Sequence, residues 1–303
     1  MTRIGSRAAR LPIVDSQVHV WKAETAERPW PKEARAFVHR PQFDADELRR
    51  EMDIAGVAAA VVIAPSFTGL GNVDVVAAAE ADPARLAVMA IVSLDEHASR
   101  PAVEGLRTTP VAKGLRLSFA TEAGRTSLLE GSASWIWPLA ERLDIPLMVN
   151  APDLLPHIRR VAIRHPSLRI AIDHLGLMSP DERLTALQRV QPILQLADVP
   201  SIAVKASALP LQSGQPYPHS DIHEAIRAVI DGFGPDRVFW GSDLTRLRSP
   251  YRQVVSLFTE ELGLDAATKE LTMGRALAQW LDWPQLASLW PTTADVDKGG
   301  APR

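Results

Sequence analysis

Apolar residues gather in eight short runs along the chain: IVDSQVHV (13–20), VAAAVVIA (57–64), LAVMAIVS (86–93), KGLRLSF (113–119), IPLMVN (145–150), LRIAIDH (168–174), SIAVKAS (201–207) and RVFWGSD (237–243). Runs this rich in Val, Ile, Leu and Ala suit strands buried on both faces, as in a parallel sheet. Between them the apolar positions recur at helical spacing, as in FDADELRREMDIAG, SWIWPLAERLD, LLPHIRRVAIRH, DERLTALQRVQPILQLA and DIHEAIRAVIDGFG. Two more helical patterns, YRQVVSLFTEELG and AATKELTMGRALAQWLDW, follow the last run. Strands alternating with helices eight times over predict an α/β chain, a (β/α)8 TIM barrel forming a single domain across 1–290. An open doubly wound sheet is the alternative, but it usually carries a Gly-rich phosphate turn after its first strand, and none follows here. The polar stretch 291–303, PTTADVDKGGAPR from its first proline on, reads as a disordered tail.

Composition narrows the picture modestly. The chain has 303 residues, 46% of them hydrophobic, enough to fill one large core. A formal net charge of -3 argues against a nucleic-acid partner. There is no cysteine, which excludes disulfides and thiolate metal sites. No apolar run approaches the ~20 residues of a membrane span, so no membrane partner is expected. The opening MTRIGSRAARLP is basic but lacks the unbroken apolar core of a signal peptide, which makes a cytoplasmic location the expectation. A small molecule is the expected partner, and self-association into a homo-oligomer is left open.

Chemistry in such a barrel sits at the C-terminal ends of the strands. On the first strand, strict alternation puts Gln17 and His19 on one face. Arg116 and Ser118 finish the fourth, Asn150 the fifth, His174 the sixth, Lys205 and Ser207 the seventh, and Asp243 the eighth, with Ser66 and Ser93 at or past the ends of the second and third. Buried polar groups cost free energy unless paired, so polar residues at so many strand ends point to a site. Blander roles compete at single positions: Asp243 could cap a helix in SDLTR, and Asn150 before Ala-Pro could simply turn the chain. An inward Lys205 needs an acidic partner. His219 and His223 share i, i+4 spacing in YPHSDIH without an acidic metalloprotease context; His219 is a further candidate at the rim. Arg246, Arg248 and Arg252 follow Asp243 and are either substrate contacts or a solvated loop.

The ordered set VDSQVHVW with Trp30-Pro31, GLRLSF, IAIDHLG, VKAS, RVFWGSD and LTMGRALAQWL resembles the amidohydrolase superfamily, specifically its amidohydrolase-2 branch. Within that branch it looks most like the 2-pyrone-4,6-dicarboxylate lactonases and the sugar and muconolactone lactonases. The resemblance implies a hydrolase that opens a small anionic lactone or cyclic ester of a catabolic route, without a metal. Asp243 would be the general base on water. His19 and His174, helped by Lys205, would stabilise the oxyanion, donors of this kind being worth ~3–4 kcal/mol each. Gln17 would donate through its amide, Arg116 would clamp a carboxylate, and Trp21, Ser66 and Asn150 would complete the substrate pocket.

Two alternatives remain. Metal-binding relatives use a His-x-His on strand one, where this chain has Gln17, and many have a histidine in place of Asn150. Amides are poor zinc ligands, but His19, His174 and Asp243 could still hold one zinc, in a mononuclear hydrolase or a non-oxidative decarboxylase of an aromatic acid. The same departures also fit a non-catalytic binding protein on this scaffold.

Overall fold

The structure, a computed structural model, describes residues 11–32, 39–177, 180–181 and 183–290. The expected tail and the basic stretch 1–10 lie outside the described residues. Each apolar run contributes one strand: β1 (Val14–His19), β2 (Ala59–Ile63), β3 (Leu86–Ile91), β4 (Ala112–Ser118), β5 (Leu147–Asn150), β6 (Ile170–Ile172), β7 (Ile202–Ala206) and β8 (Val238–Trp240). All neighbours pair parallel in chain order, from β1 to β8, with helices between them, which makes the fold a (β/α)8 barrel. The strands are near-continuously apolar because one face packs the barrel interior and the other the surrounding helices: all of Ala59–Ile63 and Leu86–Ile91 is buried.

Strand β8 meets β1 through specific bonds. Gly241 makes the approach feasible, since a Cβ there would stand 2.4 Å from Ser16 Oγ and 3.2 Å from the Gln17 nitrogen. The Asp243 amide donates to the Gln17 carbonyl at 2.8 Å. The wholly buried Asp15 carboxylate accepts from the Gln17 amide (2.8 Å), the Ser242 amide (2.9 Å) and the Tyr251 hydroxyl (2.6 Å). Burial nonetheless outweighs these bonds and pushes the Asp15 carboxyl upward. Asp15 is thus a structural clasp that holds the first and last strands in register beneath the site.

The helices follow ordinary signals. The first, Ala45–Ala55, opens on a reciprocal cap between Asp44 and Glu47, ends at left-handed Gly56, and buries Leu48 and Met52. Burying each such side chain contributes about 1.5–3 kcal/mol. The last helical pattern is interrupted: Ala266–Glu270 and Ala276–Trp280 are joined by a widened turn, Leu271–Arg275. Gly274 in that turn lies against β1, where a Cβ would stand 2.9 Å from the Val14 nitrogen.

Strands β6 and β8 stop short of the polar residues expected to end them. His174 (φ 53°) and Asp243 (φ 51°) occupy left-handed turns just beyond the strands, and Ala208 (φ 57°) does so after β7. Non-glycine residues avoid this region, so the backbone is held there by its surroundings at the mouth of the barrel. Among the described residues, no helix is long and apolar enough to cross a membrane.

Candidate active site

At the C-terminal mouth lies a cavity of about 250 Å³ whose walls include His19, Trp21, Ser66, Arg116, Asn150, His174, Asp243 and Arg246. Seven of the nine residues picked out from the sequence as catalytic or substrate-binding therefore line this one cavity, Gln17 and Lys205 being the two that do not. A second cleft of about 410 Å³ adjoins it through Ala120, Asn150, His174 and Arg246, and runs outward past Pro152, Leu177, Ala208 and Leu211.

Asp243 is fully buried and neither carboxylate oxygen accepts a hydrogen bond. Its neighbours are basic side chains: His19 Nε2 at 3.3 Å, Arg246 Nη1 at 3.7 Å and His174 Nε2 at 3.9 Å. Burial alone would raise the carboxyl, but His19, His174 and Arg246 outweigh it and hold Asp243 at about 2. His174 is driven the other way: burial lowers it to about 4, against the pull of Asp243 and Asp173, so its ring is neutral at pH 7. Its Nδ1 meets the Ser207 hydroxyl at 2.9 Å, which lets Ser207 donate and leaves Nε2–H facing Asp243 and the cavity.

His19 is fixed by two contacts. Nδ1 lies 2.8 Å from the Ile63 carbonyl, an acceptor only, so Nδ1 carries a hydrogen. Nε2 lies 3.2 Å from the amide nitrogen of Gln17. The cavity wall beside it is aromatic: Trp21 packs on Phe43 (5.9 Å between centroids) and edge-on against Phe67 (5.6 Å).

Gln17 and Lys205 occupy a different layer from the one expected. Both are wholly buried and neither lines the cavity. Their polar ends are used internally: Lys205 Nζ donates to Gln17 Oε1 and pairs with Asp173 Oδ1 at 3.0 Å. Strand alternation led to the expectation that both touch substrate; here their polar ends are engaged by each other and by Asp173. Asn150 does line the cavity, where its amide donates to Ser118 Oγ at 3.3 Å.

Asp173 was absent from the sequence candidates. It receives Arg116 Nε at 3.0 Å on the oxygen not facing Lys205. Burial opposes its ionisation, yet Lys205 and Arg116 hold it well below the usual carboxylate range. The signal that could have found it was the unpaired inward Lys205 itself, which required an acid nearby. Phe67, Thr121 and Thr245 also line the cavity and lie on loops that strand patterning does not reach.

The remaining candidates sit elsewhere. His219 bonds the Gln215 carbonyl through Nδ1 at 2.8 Å, and His223 contacts the Pro218 carbonyl; neither is in the cavity wall. Of the three arginines after Asp243 only Arg246 reaches the cavity. Arg252 bonds the Ile54 carbonyl at 3.0 Å and lines a separate depression with Leu11 and Ile13. Among the described residues, no three His, Cys, Asp or Glu side chains converge as a metal-holding group.

Comparison with known proteins agrees with this architecture. The amidohydrolase family profile matches residues 14–289. L-fucono-1,5-lactonase of Burkholderia ambifaria is 27% identical over 237 residues, 76% of this chain and 79% of that enzyme. Two solved structures share the fold. A probable 2-pyrone-4,6-dicarboxylic acid hydrolase from Acinetobacter baumannii, with citric acid bound, has a TM-score of 0.75 at 18% identity, covering 89% of this chain and 99% of that one. An amidohydrolase from Burkholderia multivorans with bound zinc has a TM-score of 0.74 at 23% identity, over 89% and 99% of the two chains.

Proposed function

The chain belongs to the amidohydrolase family and is a hydrolase, and from that premise we propose that it opens a small carboxylate-bearing lactone by attack of water on which Asp243 acts as general base. The observation that carries this reading is the bare carboxylate of Asp243. Buried polar atoms are nearly always bonded, and here both oxygens of a buried, ionised group in the cavity wall accept no hydrogen bond, with His19, Arg246 and His174 standing off at 3.3, 3.7 and 3.9 Å. That is the state a general base needs before water arrives. The relatives named for lactone chemistry supply the substrate class.

In this reading a water donates one hydrogen to Asp243 while its oxygen attacks the lactone carbonyl carbon. The tetrahedral oxyanion is met by His174 Nε2–H and the guanidinium hydrogens lining the cavity. Collapse breaks the ring carbon–oxygen bond, and the proton held by Asp243 passes to the departing alkoxide. The product is a hydroxy acid and Asp243 returns ionised. Arg116, fastened by its Nε to Asp173, presents its remaining hydrogens to a substrate carboxylate. A carboxyl held at about 2 is a weak base. A substrate carboxylate that pairs with Arg246 removes one of the charges holding Asp243 down, so binding strengthens the base.

Zinc in a structural relative prompts the question of a metal here. The donor set does not fit one at strand one. An ammonium has only hydrogens to offer, so the Gln17 oxygen must face Lys205 and the amide hydrogens face His19. No step above is routed through a metal.

The test is a panel of sugar, aliphatic and pyrone lactones, with and without carboxylates, followed by proton release. Turnover confined to carboxylate-bearing members is expected. No turnover across the panel rejects the reading and returns the chain to the binding-protein alternative.

A further inference from the structure

Two arms leave Lys205, a lysine with no exposed surface in the centre of the barrel. One runs through Gln17 Oε1 to Gln17 Nε2 and on to His19 Nε2, which faces Asp243 at 3.3 Å. The other runs through Asp173, at 3.0 Å from Nζ, to Arg116 Nε at 3.0 Å from the second carboxylate oxygen. The first arm dictates a tautomer. Lys205 orients the Gln17 amide, the amide hydrogens require a lone pair on His19 Nε2, and the Ile63 carbonyl keeps the ring hydrogen on Nδ1.

We propose that Lys205 is a positioning residue that sets both halves of the site, locking the His19 ring beside Asp243 with its hydrogen on Nδ1 and its Nε2 lone pair on the Gln17 amide and aiming Arg116 at the substrate carboxylate, and that the Lys205–Gln17 pair closes the first strand to a divalent metal. It rests on the reading of Asp243 as base. The single lone pair on His19 Nε2 is taken by the Gln17 amide, so the ring is locked in place beside Asp243. This differs from a role for His19 as oxyanion donor. It also means that the missing strand-one histidine is not the whole obstacle to a metal. Restoring an imidazole at 17 leaves a buried ammonium next to it, and like charges at close range in a poorly solvated interior repel strongly.

Three readouts separate this from a merely structural lysine. In selectively nitrogen-labelled wild-type protein, the His19 signals, assigned with His19→Gln, are expected to report hydrogen on Nδ1 and a bare Nε2 at neutral pH. Hydrogen on Nε2 in the neutral ring would overturn the proposal, and this needs no variant of Lys205 to fold. Zinc uptake after dialysis is the second readout. Wild type and Gln17→His are expected to retain none, and Gln17→His/Lys205→Met about one zinc per chain. Retention by Gln17→His alone to the same extent contradicts the exclusion by Lys205. The third is kinetic: Gln17→Leu lowers kcat with little change in KM, whereas Lys205→Met also raises KM for a carboxylated lactone. Equal effects of both variants on both constants contradict two separate arms. The first two readouts do not depend on turnover, so a failure of the lactonase reading leaves them interpretable.

Discussion

Arg116 Nε lies 3.0 Å from Asp173 Oδ2, so a guanidinium in the cavity wall is tethered by its inner edge to an acid that has no exposed surface of consequence. Tethering through Nε leaves the two terminal nitrogens for a ligand, the geometry in which arginine grips a carboxylate bidentately. Replacing Arg116 by Lys keeps the charge and loses the fork. For a carboxylate-bearing lactone, KM is expected to rise ~10–100-fold, the equivalent of one charge-assisted bond. For an uncharged lactone it should barely move, and a steady-state comparison of the two substrates checks this.

Asp173 also balances Lys205, at 3.0 Å, with both side chains out of solvent. Asp173→Asn leaves a buried ammonium and a guanidinium without their counter-charge. Breaking such a buried pair from one side costs ~3–5 kcal/mol, which urea unfolding followed by circular dichroism measures directly. A loss under ~1 kcal/mol would show that the two cations find other partners.

The depressed Asp243 has a kinetic signature. With its carboxyl at about 2 in the free protein, kcat/KM should show no acid limb from Asp243 at any pH where the protein stays folded. If substrate draws Arg246 away, the acid limb of kcat lies at higher pH than that of kcat/KM. Initial rates across pH at saturating and limiting substrate test this. An acid limb of kcat/KM near neutrality that vanishes in Asp243→Asn is the opposing result.

His174 contributes a pH-dependence to stability. Its folded value, about 4, lies below the ordinary 6.5, so between those values the unfolded chain binds a proton that the folded chain does not. Stability therefore falls as pH drops through that window, by on the order of 2–3 kcal/mol from this group. The carboxyls of Asp243 and Asp173, also depressed, add their loss only below the ordinary 3.8. Unfolding free energies at either end of the upper window, for wild type and His174→Gln, should differ by that amount. Parallel pH curves for the two proteins would contradict it.

The barrel was legible because its evidence is repetitive: eight apolar runs such as VAAAVVIA and LAVMAIVS became eight strands, and no single misreading could undo the count. The mouth was legible for His19, Arg116 and Asn150, which lie on strands and obey alternation. His174 and Asp243 also reach the mouth, but through left-handed turns beyond the strands that alternation does not describe. Alternation left open where the tips of Gln17 and Lys205 end, because an inward direction does not tell how deep a long side chain sits or whether a neighbour claims it first. Asp173, Phe67 and Thr245 escaped for a related reason. Their roles are set by contacts across the barrel or from loops, between residues far apart in the chain.

The most direct measurement compares hydrolysis of the best carboxylate-bearing lactone by chelator-treated wild-type protein and by Asp243→Asn, with circular dichroism confirming that both are folded. The account predicts full turnover by the treated wild type and a fall of ~10²–10⁴-fold in kcat for the variant, the usual contribution of a positioned base. Activity lost on chelation and restored by zinc, or an Asp243→Asn protein that hydrolyses as fast as wild type, would contradict it.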